Sequence, residues 1–294
     1  MRAMIFAAGL GTRLKPLTDT MPKALVPVAG KPMLEHVIMK LKSSGFDDII
    51  INIHHFGEQI IDFLQANNNF GVNISISDER EMLLDTGGGI KRALELFPTD
   101  EPVLIHNVDI LSDVNLNELY GFHLRSGNDA TLMVSERKTS RYLIFNKEDR
   151  LCGWINKNSG ETKPEDFIYD SSKYSEYAFS GIHVVSPSIM KYMGDNYKGK
   201  FPIMDFYLGT CREARFGACI KPEIKLIDIG KPETLEKANE FINMIKKKRR
   251  FLRTAFIVIS SIPKLKSVFA SLIKRNHINF PFLMSICQFL IFII

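Results

Sequence analysis

Short apolar runs alternate with amphipathic stretches along the first part of the chain. Residues 3–8, built on Met4, Ile5 and Phe6, predict a buried strand that runs into a glycine-rich loop. Residues 32–41 put Met33, Leu34, Val37, Ile38 and Leu41 on one helical face, and Gly45 stops the pattern. Strands are expected over 48–53, 72–77 and 102–107, with helices over 57–64 and 88–97 between them. This βαβαβαβ order predicts a parallel sheet with helices on both faces, because each parallel connection needs a crossover that packs back on the sheet. The fully apolar strands suit its centre.

Beyond Asp109 the alternation changes. Residues 130–136, 142–146, 151–156 and 177–185 read as strands, with a polar loop over 157–175. A helix is expected over 204–212, a last strand over 225–229, and a final helix over 232–246 with Pro232 in its first turn. No internal repeat is present.

Composition narrows the class. The chain has 294 residues, 45% hydrophobic and 24% charged, which excludes disordered, collagenous and low-complexity proteins. Its four cysteines show no CxxC spacing, so neither a disulfide framework nor a zinc ribbon is expected, and a cytoplasmic setting is. The opening residues lack the pattern of a secretory leader. Residues 246–294 carry ten of the 38 basic residues and none of the 33 acidic ones, leaving 28 basic against 33 acidic over 1–245, a net −5. The basic character belongs to the tail, and the acidic body argues against a nucleic-acid partner.

The loop after the first strand holds the chemistry. Small residues at Ala8, Gly9 and Gly11, followed by Thr12, let a ligand approach the backbone, whose free N–H groups can bind phosphate oxygens. Leu14 stands where a dinucleotide fingerprint needs a small residue, and Gly30-Lys31 is followed by Pro32, so this is not a P-loop. A Gly-x-Gly alone is equally a tight turn. Arg13 and Lys23 sharpen it by offering a planar fork and a point charge to a triphosphate. His54 and His55 alternate across a strand with no third ligand nearby in sequence, and read as a polar strand-end pair.

The run Ala7-Ala8-Gly9-Leu10-Gly11-Thr12-Arg13-Leu14, continued by Pro22-Lys23-Ala24-Leu25, resembles the signature of the sugar-1-phosphate nucleotidyltransferases. The resemblance covers residues 2–245. It implies a Rossmann-like α/β fold with a mixed, mostly parallel sheet and a sugar-binding insert, a Mg2+ cofactor, and a reaction yielding an NDP-sugar and pyrophosphate. Leu84-Asp85-Thr86-Gly87-Gly88-Gly89-Ile90 resembles the base-recognition loop, in which Gly87 and Gly88 would let backbone groups read a base edge. His106-Asn107-Val108-Asp109 resembles the segment holding the metal aspartate, Asp109, with Asn107 near the sugar phosphate; Val108 stands where the family has Gly or Ser. Phe179-Ser180-Gly181-Ile182 resembles the sugar-site turn, with Gly181 at its centre. Leu226-Ile227-Asp228-Ile229-Gly230 resembles the second metal segment, with Asp228 as ligand. Lys157 matches a lysine that many members place on the sugar phosphate.

The implied substrates are a nucleoside triphosphate and a sugar 1-phosphate. The Thr86-Gly87-Gly88-Gly89-Ile90 loop looks most like the N-acetylmuramate-1-phosphate uridylyltransferase branch, with mannose- and heptose-1-phosphate guanylyltransferases second. A non-catalytic nucleotide-sugar sensor is the alternative of another class; retention of Arg13, Lys23, Asp109 and Asp228 argues against it. The tail, 246–294, stands apart from a catalytic domain over 1–245. The run 280–294 has fifteen residues, including Pro281 and Gln288, against the roughly 20 apolar residues of a spanning helix. A basic membrane-surface anchor, an added packing element and a dispensable extension are all open for it.

Overall fold

The computed structural model describes residues 1–261, with side chains to residue 247. The element order is β1 (Arg2–Phe6), β2 (Pro27–Val28), β3 (Lys31–Pro32), α1 (Met33–Ser43), β4 (Asp48–Ile53), α2 (Gly57–Ala66), β5 (Asn73–Asp78) and α3 (Asp85–Leu96). There follow β6 (Val103–Asn107), β7 (Ile110–Ser112), α4 (Leu116–Ser126), β8 (Ala130–Ser135), β9 (Arg141–Phe145), β10 (Leu151–Asn156), β11 (Thr162–Lys163) and β12 (Ser175–Val185). The last elements are α5 (Ile203–Thr210), β13 (Phe216–Ile220), β14 (Leu226–Asp228) and α6 (Glu233–Ser261).

The main sheet runs β5-β4-β1-β6-β12-β8-β13. Strands β5, β4, β1 and β6 are parallel, β12 is antiparallel to its neighbours β6 and β8, and β13 is parallel to β8. The sheet is therefore mixed and mostly parallel, as expected. Right-handed crossovers put α1 and α2 on one face and α3 on the other, because the chain passes from β5 back across β1 to β6. The strand order thus reverses at β1, and the crevice outside its carboxyl end is where ligands bind in such sheets. Strands β9, β10 and β11 form an antiparallel leaf attached to the first part of β12, where Tyr177 pairs with Leu143.

The core follows from strands with no polar face. Ile49, Ile50, Ile51 and Ile53 of β4 are all buried, and each fully buried aliphatic side chain contributes roughly 1.5–3 kcal/mol. On the α3 side, Phe206, Tyr207 and Phe216 close the core against β8 and β12, with the Tyr207 and Phe216 ring centroids 4.7 Å apart.

Besides the short strands β2, β3, β7 and β11, three elements differ from the sequence expectation. Helix α4 lies in a stretch where no element was expected; the Asn115 side chain caps it by accepting from the Asn117 and Glu118 N–H groups, and Gly127 ends it at φ 64°. Strand β13 was also not expected. Helix α3 begins at Asp85 rather than residue 88, so Gly87, Gly88 and Gly89 lie inside its first turns. By its contacts the chain divides inside α6: Met1–Ala238 form one compact unit and a second begins at Asn239. The apolar run 280–294 and its membrane reading lie outside the described residues.

Candidate active site

The site begins with register. Phe6, at the end of β1, is paired with Asn52 of β4 on one side and Asn107 of β6 on the other. The next residues leave the sheet, and their backbone is held by Asn52, whose Oδ1 accepts from Ala7 N at 2.8 Å and Ala8 N at 3.3 Å. Asn52 Nδ2 donates to Glu79 Oε1 at 2.9 Å, and Glu79 Oε2 accepts from Leu84 N at 3.0 Å. One buried network therefore fixes the first loop to the start of α3. Burial pushes the Glu79 carboxyl up, against the hydrogen bonds from Asn52 and Leu84. The sequence reading missed both residues. A signal existed for Asn52, a lone amide in a run of isoleucines, since a buried polar side chain needs a partner.

Gly11 turns the loop at φ 65°, where a Cβ would fall 2.9 Å from Thr18 Cγ2. Thr18 Oγ1 closes the turn by donating to Gly11 O at 2.8 Å. Of the three single 3-10 turns that follow, Thr12–Leu14 carries Arg13 and Lys23–Leu25 opens on Lys23. Lys23 is 9% exposed, and its ammonium pairs with Asp109 Oδ2. The guanidinium of Arg13 lies beside Gly230, where a Cβ would fall 2.8 Å from Arg13 Nη2 and 3.0 Å from Asp228 Oδ1.

Asp109 and Asp228 are far apart in sequence and brought together by two short strands. β14 pairs antiparallel with β7, with Asp228 opposite Ile110, and Ile229 N donates to Asp109 O at 2.9 Å. Desolvation first, and the Asp109 carboxylate second, push the Asp228 pKa up, while Lys23, Arg13 and Arg137 pull it down. A divalent cation between the carboxylates would remove that repulsion. Among the described residues no cluster of three or more His, Cys, Asp or Glu is arranged to hold a metal. Two carboxylates fit a hard ion that completes its shell with phosphate oxygens and water.

A cleft of about 420 Å³ runs over these residues. Ala8, Gly9, Gly11 and Thr12 of the first loop line it, with Arg13, Lys23, Asn107 and Asp109. Asp85 and Thr86, from the run likened to the base-recognition loop, complete the α3 side with Leu83 and Lys200, which were not singled out from the sequence.

Five expected residues lie outside that lining; one is Asp228, which sits beside the lining residue Gly230. Gly87 and Gly88 are a correction: both N–H groups donate to Phe201 O, at 2.9 and 3.2 Å, so neither is free for a base edge. A Cβ on Gly87 would fall 2.3 Å from the Phe201 ring, and one on Gly88 2.1 Å from Gly199 O. These glycines let the 199–201 segment cross the helix start. Lys157 sits on the leaf, pairs with Glu176 Oε1 at 2.5 Å and lies 4.8 Å from the Tyr169 ring centroid. Gly181 is outside the cleft lining but against it, at φ 72°, where a Cβ would fall 2.9 Å from Asn107 Nδ2. The histidine pair is structural in its contacts: His54 Nδ1 bonds Glu79 O at 2.8 Å, and His55 lies against the Phe56 ring.

The nucleotidyl transferase family model matches residues 2–244. The chain belongs to that family. N-acetylmuramate alpha-1-phosphate uridylyltransferase from Caulobacter vibrioides is 30% identical over 242 residues, covering 79% of this chain and 92% of that protein. The enzyme of the same name from Neisseria meningitidis serogroup B is 45% identical over 120 residues, 41% of this chain and 52% of that protein, so this match spans about half the relative's length. The solved HddC protein from Yersinia pseudotuberculosis has the same fold, with a TM-score of 0.65, 24% identity, and coverage of 82% of this chain and 99% of that one. The family and the Rossmann-like fold expected from the sequence are both met: this is a sugar-1-phosphate nucleotidyltransferase by family.

Proposed function

We propose that this nucleotidyltransferase joins UTP and N-acetylmuramate 1-phosphate, or a closely similar sugar 1-phosphate, giving a UDP-sugar and pyrophosphate. The observation that carries the reaction class is the convergence of Lys23, Asp109 and Arg13 in a cleft also lined by the Ala8 to Thr12 loop, with Asp228 beside Arg13 at Gly230. The uracil and muramate choice rests on the Caulobacter relative, which the chain matches across 92% of its length.

The sugar phosphate is already an anion at neutral pH, so attack on the α-phosphorus needs no strong base. The obstacle is bringing two anions together, which makes positioning and charge stabilisation the task of the site. Backbone N–H groups of the first loop receive phosphate oxygens. Arg13 holds the β- and γ-phosphates and the departing pyrophosphate by its fork. Lys23, held by Asp109, offsets charge at the reacting phosphates, and Asn107 orients the sugar phosphate. Mg2+, held by Asp109 and Asp228, would supply charge neutralisation at the α-phosphate and the incoming phosphate. The same reading places the enzyme in the cytoplasm, where UTP is available and where Cys152, Cys211 and Cys219, all free, stay reduced.

The test is pyrophosphate release with Mg2+ across UTP, GTP, dTTP and CTP, each against N-acetylmuramate, mannose and glucose 1-phosphates. UTP with N-acetylmuramate 1-phosphate is expected to turn over fastest. Preference for GTP with mannose 1-phosphate would replace the substrate assignment, and no turnover with any pair would overturn the reaction.

A further inference from the structure

Lys157 is committed to Glu176 and Tyr169 on the leaf. It does not line the cleft, where a phosphate dianion must be held next to Asp109 and Asp228. Another cation lies near the cleft without lining it. Arg137 lies just past the end of β8, and its Nη2 donates to Phe179 O at 2.9 Å.

The local geometry makes this contact informative. Ala178 and Phe179 pair with Ser135 and Val134, after which the register breaks and resumes at His183 opposite Leu132. Ser180, buried in the break, donates from Oγ to Met133 O at 2.7 Å, and Gly181 turns at φ 72° against the Asn107 side chain. The bulge thus links Arg137, through Phe179, to the residue that ends β6 in the cleft. Bulges beside active sites re-aim side chains in this way. Arg137 is exposed, makes no ion pair with a described residue, and is close enough to Asp228 to act on its carboxyl. One guanidinium nitrogen is spent on a neutral carbonyl, which leaves the other N–H donors of the fork available.

We propose that Arg137 binds the phosphate of the sugar 1-phosphate and positions it for attack, the task expected of Lys157. The assignment rests on the reaction proposed above. A phosphate bound there lies between Arg137 and Asn107, on the Asp228 side of the cleft, while Arg13 and the Ala8 to Thr12 loop keep the nucleotide. A planar fork tied at one end to the backbone fixes the phosphate's direction as well as its distance, which in-line attack requires.

The experiment is steady-state kinetics on the full chain with the fastest pair from the panel, for wild type, Arg137→Ala, Arg137→Lys and Lys157→Ala, with thermal midpoints measured in parallel. Arg137→Ala is expected to raise KM for the sugar 1-phosphate about ten- to hundred-fold, the range of a lost charged hydrogen bond. KM for the nucleotide should stay near the wild-type value. Arg137→Lys should recover part of the loss and Lys157→Ala should lose little. An unchanged sugar-phosphate KM in Arg137→Ala, or a rise confined to Lys157→Ala, overturns the assignment while leaving the reaction intact. A rise in both KM values together with a fallen thermal midpoint also overturns it, because a structural role at Phe179 then accounts for the loss. A wild-type enzyme inactive with every pair overturns the reaction and this assignment with it.

Discussion

At the scale of single residues the site is a balance of charges. Asp109 holds Lys23 through one carboxylate oxygen and is near enough to Asp228 for the two carboxylates to repel. Asp109→Asn keeps the shape but removes one of the two carboxylates, so turnover should nearly vanish in a Mg2+ titration while the thermal midpoint stays close to wild type. Near-normal turnover at saturating Mg2+ would reject the metal assignment. Arg13→Lys keeps the charge and loses the fork; weaker binding of both nucleoside triphosphate and pyrophosphate is expected, and unchanged calorimetric affinities would remove Arg13 from that role. Glu79 shows the opposite use of a carboxylate. Both its oxygens accept from fixed donors, Asn52 Nδ2 and Leu84 N. Glu79→Gln turns an amide N–H toward one of them, and leaving that buried donor unmet should cost about 1–3 kcal/mol in a denaturant titration.

At the scale of elements, glycines that look alike in sequence serve different ends. Gly9 lines the cleft, and a Cβ there would meet nothing within 4 Å. Gly87 lies in α3 under the Phe201 ring, where a Cβ has no room. Gly87→Ala should therefore lower stability by about 1–3 kcal/mol through overpacking, whereas Gly9→Ala should leave the thermal midpoint unchanged and weaken nucleotide binding by narrowing the cleft. Equal thermal midpoints for the two variants would contradict the contrast. The α3 start also shows why part of the site was not legible from sequence. The run from Leu84 to Ile90 marks itself as a close approach, but what approaches is the 199–201 segment, a partner more than a hundred residues away that no local pattern reveals. The β1 loop was legible because its glycines and its two cations lie in one short stretch. Asp228 was legible only by resemblance, since three-residue β7 and β14 carry too little periodicity to be read as a pair. Helix α4 was legible in principle: Asn115, the apolar face of Leu116, Leu119 and Tyr120, and Gly127 are ordinary start and stop signals.

At the scale of the whole molecule, two properties extend beyond the cleft. His106 and His183 are buried and held neutral by desolvation, each with its pKa pushed down to about 3, and His123 to about 4. Unfolded histidines take up a proton near 6.5, so the stability that these residues confer is complete above that value and is lost as pH falls from about 6.5 toward 3. His183 has no hydrogen-bond partner on either ring nitrogen and lies among the Phe179 and Tyr207 rings. His183→Phe should keep the fold and flatten the acid slope by up to about 1.4 kcal/mol per pH unit; an unchanged slope would show that this ring is already protonated in the folded protein. The other property is modularity. The family match ends at residue 244, and every residue placed in the cleft precedes Thr234. The chain beyond Arg250 has many Ile, Leu and Phe, several Lys and Arg, and no acid, a composition that suits an anionic lipid surface. No helix among the described residues is long and apolar enough to cross a membrane. A chain ending at Arg250 should therefore fold and keep its turnover nearly unchanged, and any affinity for phosphatidylserine-containing liposomes should go with the removed segment. Loss of turnover on truncation would show that the tail completes the catalytic body, and equal liposome binding by the two forms would show that the lipid contact lies elsewhere.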